Sequence, residues 1–186
     1  MIGAIVVLLS LLLAAVTPGN KKAGENIKHN DVDMLKFIHV AHMHTFAAIK
    51  SVKVKYLVKP IRAGHKDYGF TKEDWKYHDS YAGWHMAPGR EVVHYKGKPV
   101  WQMSYQGMTV DGLSKEFIKD VFTFLKKALR SVPETMPFRG PVKFLEGEFV
   151  YEFKFEGDYK YFKGRESITY KGKEVFFQDV MGSIIV

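Results

Sequence analysis

The sequence predicts an α+β domain, built as two α-β-β-β repeats that form a pseudo-twofold antiparallel sheet with two main helices. Three observations point to it. Two segments carry apolar residues at helical spacing, and several others alternate apolar and polar residues as strands do. One strand-turn-strand passage also recurs about 75 residues further along the chain.

The first twenty residues stand apart from that domain. Ile2 to Val16 is an uncharged apolar run interrupted only by small residues such as Gly3 and Ser10, and it ends in Ala14-Ala15-Val16-Thr17-Pro18-Gly19. As a helix, about 15 residues span roughly 22 Å, short of the roughly 30 Å hydrocarbon core. The run therefore reads as a signal peptide over residues 1–20, cleaved best after Ala15, or else as an N-terminal anchor. A secreted or periplasmic chain is expected, or one anchored to the membrane by residues 2–16 and touching it nowhere else. Residues 21–32 read as a linker and 33–186 as a single α+β domain, with repeat halves at about 33–110 and 111–186.

A first helix starts near Asp31 or Asp33, either of which could cap it. Met34, Leu35, Phe37, Ile38 and Ala41 follow at helical spacing, continuing to Phe46 and Ala48. Val52, Val54, Tyr56 and Val58 then alternate with Lys53, Lys55 and Lys59, which predicts an edge strand with one lysine face. A second helix runs from Ser114, as N-cap, to Val132, where Pro133 stops it. Phe117, Ile118, Val121, Phe122, Phe124, Leu125, Ala128 and Leu129 are its apolar residues, and Lys119, Lys126, Lys127 and Arg130 take the other face.

The repeat lies in the strands. Gly89-Arg90-Glu91-Val92-Val93-His94-Tyr95-Lys96-Gly97-Lys98-Pro99-Val100 matches Gly164-Arg165-Glu166-Ser167-Ile168-Thr169-Tyr170-Lys171-Gly172-Lys173-Glu174-Val175 without a gap. Gly107 and Gly182 keep the offset, and Gly83 and Gly157 keep it with one residue of slack. The Lys-Gly-Lys of each copy reads as a tight hairpin turn. Each unit then reads helix, strand, strand, strand. The two helices cover one face of the sheet and leave the other free to form a groove.

Alternation assigns the strand faces. Trp75, Tyr77, Asp79 and Tyr81 share one face, matched in the second copy by Phe149, Tyr151, Phe153 and Phe155, so Asp79 stands where the repeat has Phe153. Glu91, Val93 and Tyr95 share a face, as do Glu166, Ile168 and Tyr170. Trp101, Met103 and Tyr105 line up against Phe176, Gln178 and Val180. A carboxylate on an aromatic face is costly unless it is paired. The functional reading is a ligand site walled by Tyr77, Tyr81, Trp101 and Tyr105, with Asp79 and Glu91 as its polar groups. The alternative is that all these aromatics are core. A third reading makes Asp79 and Glu91 the carboxylate pair of a hydrolase, which requires both in an open cleft.

Other chemistries find little support. The chain has no Cys, which removes disulfides, thiolate nucleophiles and cysteine metal sites. Lys plus Arg number 28 against 20 Asp plus Glu, a formal charge of +8. Export lowers the odds that this charge serves nucleic acid, and no nucleic-acid partner is expected. His39 and His42 lie three apart on the first helix, but His44 points about 200° away from His42. No metal, no cofactor and no catalytic residue are assigned. Neither a phosphate-binding glycine loop nor a Gly-x-Ser-x-Gly elbow occurs.

These residues also resemble a known family. Met34, Phe37, Ile38, Ala41, Thr45, Phe46 and Ala47 are similar to its opening helix, and Arg62 to Tyr68 to an Arg-Pro-Gly-x-x-Asp-like element. Tyr77, Asp79, Tyr81 and Gly83 match a Tyr-x-Asp-x-Tyr-x-Gly strand. Gly89, Glu91, Val93, Gly97, Pro99, Trp101, Met103, Tyr105 and Gly107 match the next two strands, and Pro137 to Pro141 a Pro-Phe-Arg-Gly-Pro element. The pattern resembles a bacterial domain-of-unknown-function family often found C-terminal to the helix-turn-helix domain of XRE-type regulators, and it covers about residues 33–186. The resemblance implies an effector-sensing or interaction module rather than an enzyme. No helix-turn-helix segment accompanies it here. The expectation is therefore an exported domain that binds a small molecule in an aromatic groove without catalysis. The alternatives are a structural or protein-interaction domain, or a carboxylate hydrolase.

Overall fold

The computed structural model describes residues 29–186, and side chains from Asp31 onward. The expected signal peptide or anchor and most of the linker lie outside these residues. The elements run α1 (His29–His44), α2 (Lys50–Lys53), a 3-10 turn (Val54–Tyr56), then β1 (Leu57–Val58), β2 (His65–Lys72), β3 (Trp75–Ala82), β4 (Gly89–Tyr95) and β5 (Lys98–Thr109). After α3 (Lys115–Arg130) come β6 (Lys143–Glu146), β7 (Phe149–Asp158), β8 (Tyr161–Tyr170) and β9 (Lys173–Ile184). All nine strands form one antiparallel sheet in the order β1-β2-β3-β4-β5-β9-β8-β7-β6.

Ser114 caps α3 as its residue type predicts, its hydroxyl accepting from the Phe117 amide at 3.2 Å. Asp31 lies in the first turn of α1 rather than capping it, and accepts a 3.0 Å hydrogen bond from the Tyr159 hydroxyl. The expected edge strand over 52–58 is corrected. Its first part is α2 and the 3-10 turn, and only Leu57 and Val58 pair, with Tyr68 and Asp67. The Val–Lys alternation does not serve a sheet face here, because the chain must descend from the helix layer to the sheet edge. Val54 and Leu57 are left exposed.

Besides the two-residue β1, each half carries four sheet strands, one more than expected. The extra ones are β2 and β6, whose charged residues (Lys66, Asp67 and Lys72; Lys143 and Glu146) hide their alternation. The middle of the sheet is regular. β5 pairs with β9 in a register that sets Tyr105 opposite Val180, and Trp101 opposite Ile184. A bulge falls between Val93 and His94 and another between Ile168 and Thr169. The two hairpin turns place Lys96 and Gly97 at φ 49° and 79°, and Lys171 and Gly172 at 51° and 76°. Two consecutive positive φ values define the type I′ turn that fits strand twist.

Helix α1 packs over β2 and β3, and α3 over β6 and β7. Both lie on the face that carries the aromatics. The groove expected on the uncovered face is therefore not aromatic. Tyr77 and Trp101 are core residues, 2% and 0% exposed, beneath the helices. Trp101 stacks on Phe162 at 6.3 Å, and Phe162 on Phe138 at 4.6 Å. The uncovered face does hold a depression of about 780 Å³ across β5, β7, β8 and β9. It is a solvated face whose charges pair with one another, Lys163 with Glu156 at 3.2 Å and Arg165 with Asp179 at 3.5 Å.

Candidate functional site

The helix layer leaves a gap beside the end of α1. Between the end of α1, α2 and α3, over β3, β5 and β9, lies a cavity of about 250 Å³. Sheet pleat aims Asp79, Tyr81 and Tyr105 into it. Phe46, Phe122, Leu125, Leu129 and Phe176 form apolar wall, and Trp84, half exposed on the β3–β4 loop, stands at the cavity with His85. The cationic side chains Lys53, Lys66, Lys126 and Arg139 complete the lining.

Of the six residues expected at a site, the cavity brings together three: Asp79, Tyr81 and Tyr105. Tyr77, Glu91 and Trp101 do not line it. Asp79 and Glu91 are direct cross-strand partners, which sets their Cβ atoms about 5 Å apart, but the two side chains serve different surroundings. Glu91 is wholly buried and bonds His42 Nε2 on α1 at 2.7 Å. The open cleft between two carboxylates that a hydrolase needs is absent, and that reading is corrected.

Beneath the cavity runs a buried ionic cluster. Arg139 Nε donates to Glu166 at 3.0 Å, and its guanidinium lies 3.8 Å from Glu91. Tyr151 and Gln178 donate to Glu166 at 2.7 and 2.8 Å. Burial works against the Arg139 charge, but Glu166 and Glu91 outweigh it and hold the guanidinium above its ordinary value. The same guanidinium lies over the Phe46 and Tyr105 rings at 4.9 and 5.4 Å.

Asp79 is the exception to this pairing. Tyr105 donates to its Oδ1 at 2.7 Å, while Oδ2 is buried without a hydrogen-bond partner. Burial and the neighbouring Glu91 charge push its carboxyl up to about 7, against the Tyr105 hydrogen bond. Lys53 shifts the other way. Burial, and then the Lys126 charge, bring it down to about 8. Its ammonium sits over the Tyr68 ring at 4.3 Å and the Tyr81 ring at 5.8 Å.

Sequence reasoning missed the cations. Lys53 reads as a solvated strand face, Lys126 as the polar side of a helix, and Arg139 only as part of Pro-Phe-Arg-Gly-Pro. That last element held the available signal, because an Arg embedded among Pro, Phe and Gly leaves few ways to solvate its charge.

Two other polar clusters are structural. Asp67 accepts from the Ile61 amide, from Ser80 and from His78 at 3.0, 2.8 and 2.9 Å. Burial would raise its carboxyl, and these three bonds hold it below its ordinary value instead. Ser80 donates to Asp67 and not to His78, so no Ser–His relay exists. His42 is committed to Glu91, and among the described residues no three His, Asp or Glu side chains gather as metal ligands would. No helix among them is long and apolar enough to cross a membrane.

Residues 79–185, more than half of the chain, match the family model of a domain of unknown function, DUF5680. The chain belongs to the DUF5680 family. No curated protein and no solved structure matches it. The DUF5680 match begins at Asp79 and takes in Tyr105, Lys126, Arg139 and Gln178 of the cavity. Lys53 and Lys66 precede it.

Proposed function

We propose that this DUF5680 domain binds a small anionic molecule in the cavity between α1, α2 and α3. One observation carries the reading: three lysines, Lys53, Lys66 and Lys126, and a single carboxylate, Asp79, line one partly open cavity. Among the described residues Lys53 and Lys126, both partly buried, form no ion pair, and neither does the exposed Lys66. Unpaired cations beside apolar walls favour an anion that brings its own charge into a poorly hydrated site. Asp79 Oδ2 adds one buried polar group without a hydrogen-bond partner of its own, open to a ligand. At about 250 Å³ the cavity falls below the roughly 300–1,000 Å³ of drug-sized sites, so the ligand is metabolite-sized. An effector-sensing role, as in the regulator-borne domains that the sequence resembles, agrees with this, and export or anchoring through residues 1–20 belongs to the same reading.

Trp84 reports on binding. Trp75 and Trp101 are buried, so a ligand-dependent fluorescence change absent from Trp84→Phe marks the cavity. Titration with short carboxylates and inorganic phosphate should give a saturable change. Lys126→Met should weaken it about tenfold, equivalent to about 1.4 kcal/mol. A response unaffected by Lys126→Met and by Asp79→Asn would overturn the reading.

We also propose that the halves arose by duplication, with the twofold axis between β5 and β9. Tyr105 faces Val180, its own equivalent at the 75-residue offset, and the bulges and type I′ turns recur at that offset. These coincidences support the reading beyond the sequence match.

A further inference from the structure

We infer that Lys53 is an imine-forming amine and that the ligand it serves is a short carbonyl acid of the 2-oxo acid class. The inference rests on the anion-binding reading and gives it a substrate class. Its basis is placement. Lys53 lines the cavity, is held against two tyrosine rings, and forms no ion pair at contact distance among the described residues, the Asp79 charge acting on it only through space. A second ammonium, Lys126, lines the same cavity, and a lysine that is desolvated beside another cation is an activated nucleophile. The direction of its titration agrees. At about 8, its neutral fraction at pH 7 is about 300 times that of an ordinary lysine.

The cavity also holds the acid that the step requires. The neutral Lys53 amine adds to the carbonyl carbon, and after proton transfer from nitrogen to oxygen a carbinolamine stands in place of the C=O bond. The C–O bond then breaks with a proton from the Asp79 carboxyl, and water leaves. The product is an iminium on Lys53 with Asp79 as carboxylate. Tyr105 occupies Oδ1, so Oδ2 carries the proton. No oxidant or reductant enters. The substrate carboxylate meets the remaining unpaired cations, Lys66 and Lys126. Those cations exclude neutral ketones by leaving the site's charge uncompensated, and the small volume excludes long chains.

The test uses the full chain with pyruvate and sodium cyanoborohydride at pH 7.5, read by peptide mass spectrometry, alongside Trp84 fluorescence with pyruvate and with lactate, which has no carbonyl. Reduced pyruvate should add to Lys53 at least ten times faster than to any other lysine. Lactate should protect it, Lys53→Arg should abolish it, and Asp79→Asn should slow it about 100-fold. Lactate protection needs no variant, so a folding defect in either one does not decide the result. Saturable fluorescence changes without preferential label at Lys53 would overturn the imine and leave anion binding intact. Label spread over lysines by exposure, with no fluorescence response to either acid, would overturn both.

Discussion

Asp79→Asn separates a carboxyl buried at a cost from one that stabilises the fold. Asp79 is 1% exposed, and its carboxyl lies at about 7 rather than the ordinary 3.8. The native state therefore keeps a proton that the unfolded chain releases, so the unfolded state binds fewer protons and stability falls as pH rises through this window. The loss begins near pH 4 and is complete a little above 7. Each pH unit costs about 1.4 kcal/mol, so the whole window amounts to roughly 4 kcal/mol. Asparagine stays neutral throughout and keeps an oxygen for the Tyr105 hydroxyl. The variant should match the wild type near pH 4 and exceed it by roughly 4 kcal/mol at pH 8. At 2–4 °C per kcal/mol for a domain of this size, the gap in Tm opens to about 8–16 °C. Thermal denaturation of both proteins at half-unit steps from pH 4 to 8 measures it, and the difference between the curves cancels every other titrating group they share. Parallel curves would refute the unpaired buried carboxyl. A variant less stable at pH 8 would mean that Lys53 and Arg139 compensate Asp79 in full.

Trp101→Ala should cost about 3–5 kcal/mol, because a wholly buried indole stacked on Phe162 leaves a cavity; urea denaturation reads this, and a loss under 1 kcal/mol would contradict its core placement. Arg139→Met should cost about 3–5 kcal/mol by leaving Glu91 and Glu166 without their cation, and Glu166→Gln added to it should recover part of the loss. Gly89→Ala sets a Cβ against the Tyr105 ring. It should break the Tyr105–Asp79 hydrogen bond and weaken ligand binding more than it lowers Tm, as fluorescence titration and thermal denaturation of one preparation would show.

Much of the sheet was legible because its residues alternate where one face is buried. Tyr77 and Asp79, Glu91 and Val93, and Trp101 and Met103 all turn inward as their spacing requires. What stayed hidden depended on contacts distant in sequence. β2 and β6 carry too many charges to read as strands, and Asp67 is acceptable there only because Ile61, Ser80 and His78 bond it. The 52–58 segment alternates correctly and still turns, since strand pattern cannot reveal that a chain must change layers. The site divided in the same way. Asp79 stood out as a carboxylate among aromatics, while the lysines around it look like any solvated lysine until α2 and α3 close over the same space.

The comparison between halves argues that Asp79 is not there for the fold. On the proposed duplication Phe153 is its equivalent: Phe153 sits opposite Glu166 as Asp79 sits opposite Glu91, and Phe153 is 1% exposed. The architecture thus accepts an aromatic ring at that register position and buries it. A carboxyl in the same place forfeits the ring's burial, roughly 1.5–3 kcal/mol, and adds the cost of its own desolvation. Tyr105 faces its equivalent Val180 across the axis in the same unequal way, with its hydroxyl spent on Asp79. Lys53 and Lys126 compound the cost by placing further charge beside the same space. A fold that needed only a core would fill this gap with a second phenylalanine. On the proposed reading, the first half keeps it open with an acid, a phenol and the amines of Lys53 and Lys66, and the second half adds Lys126.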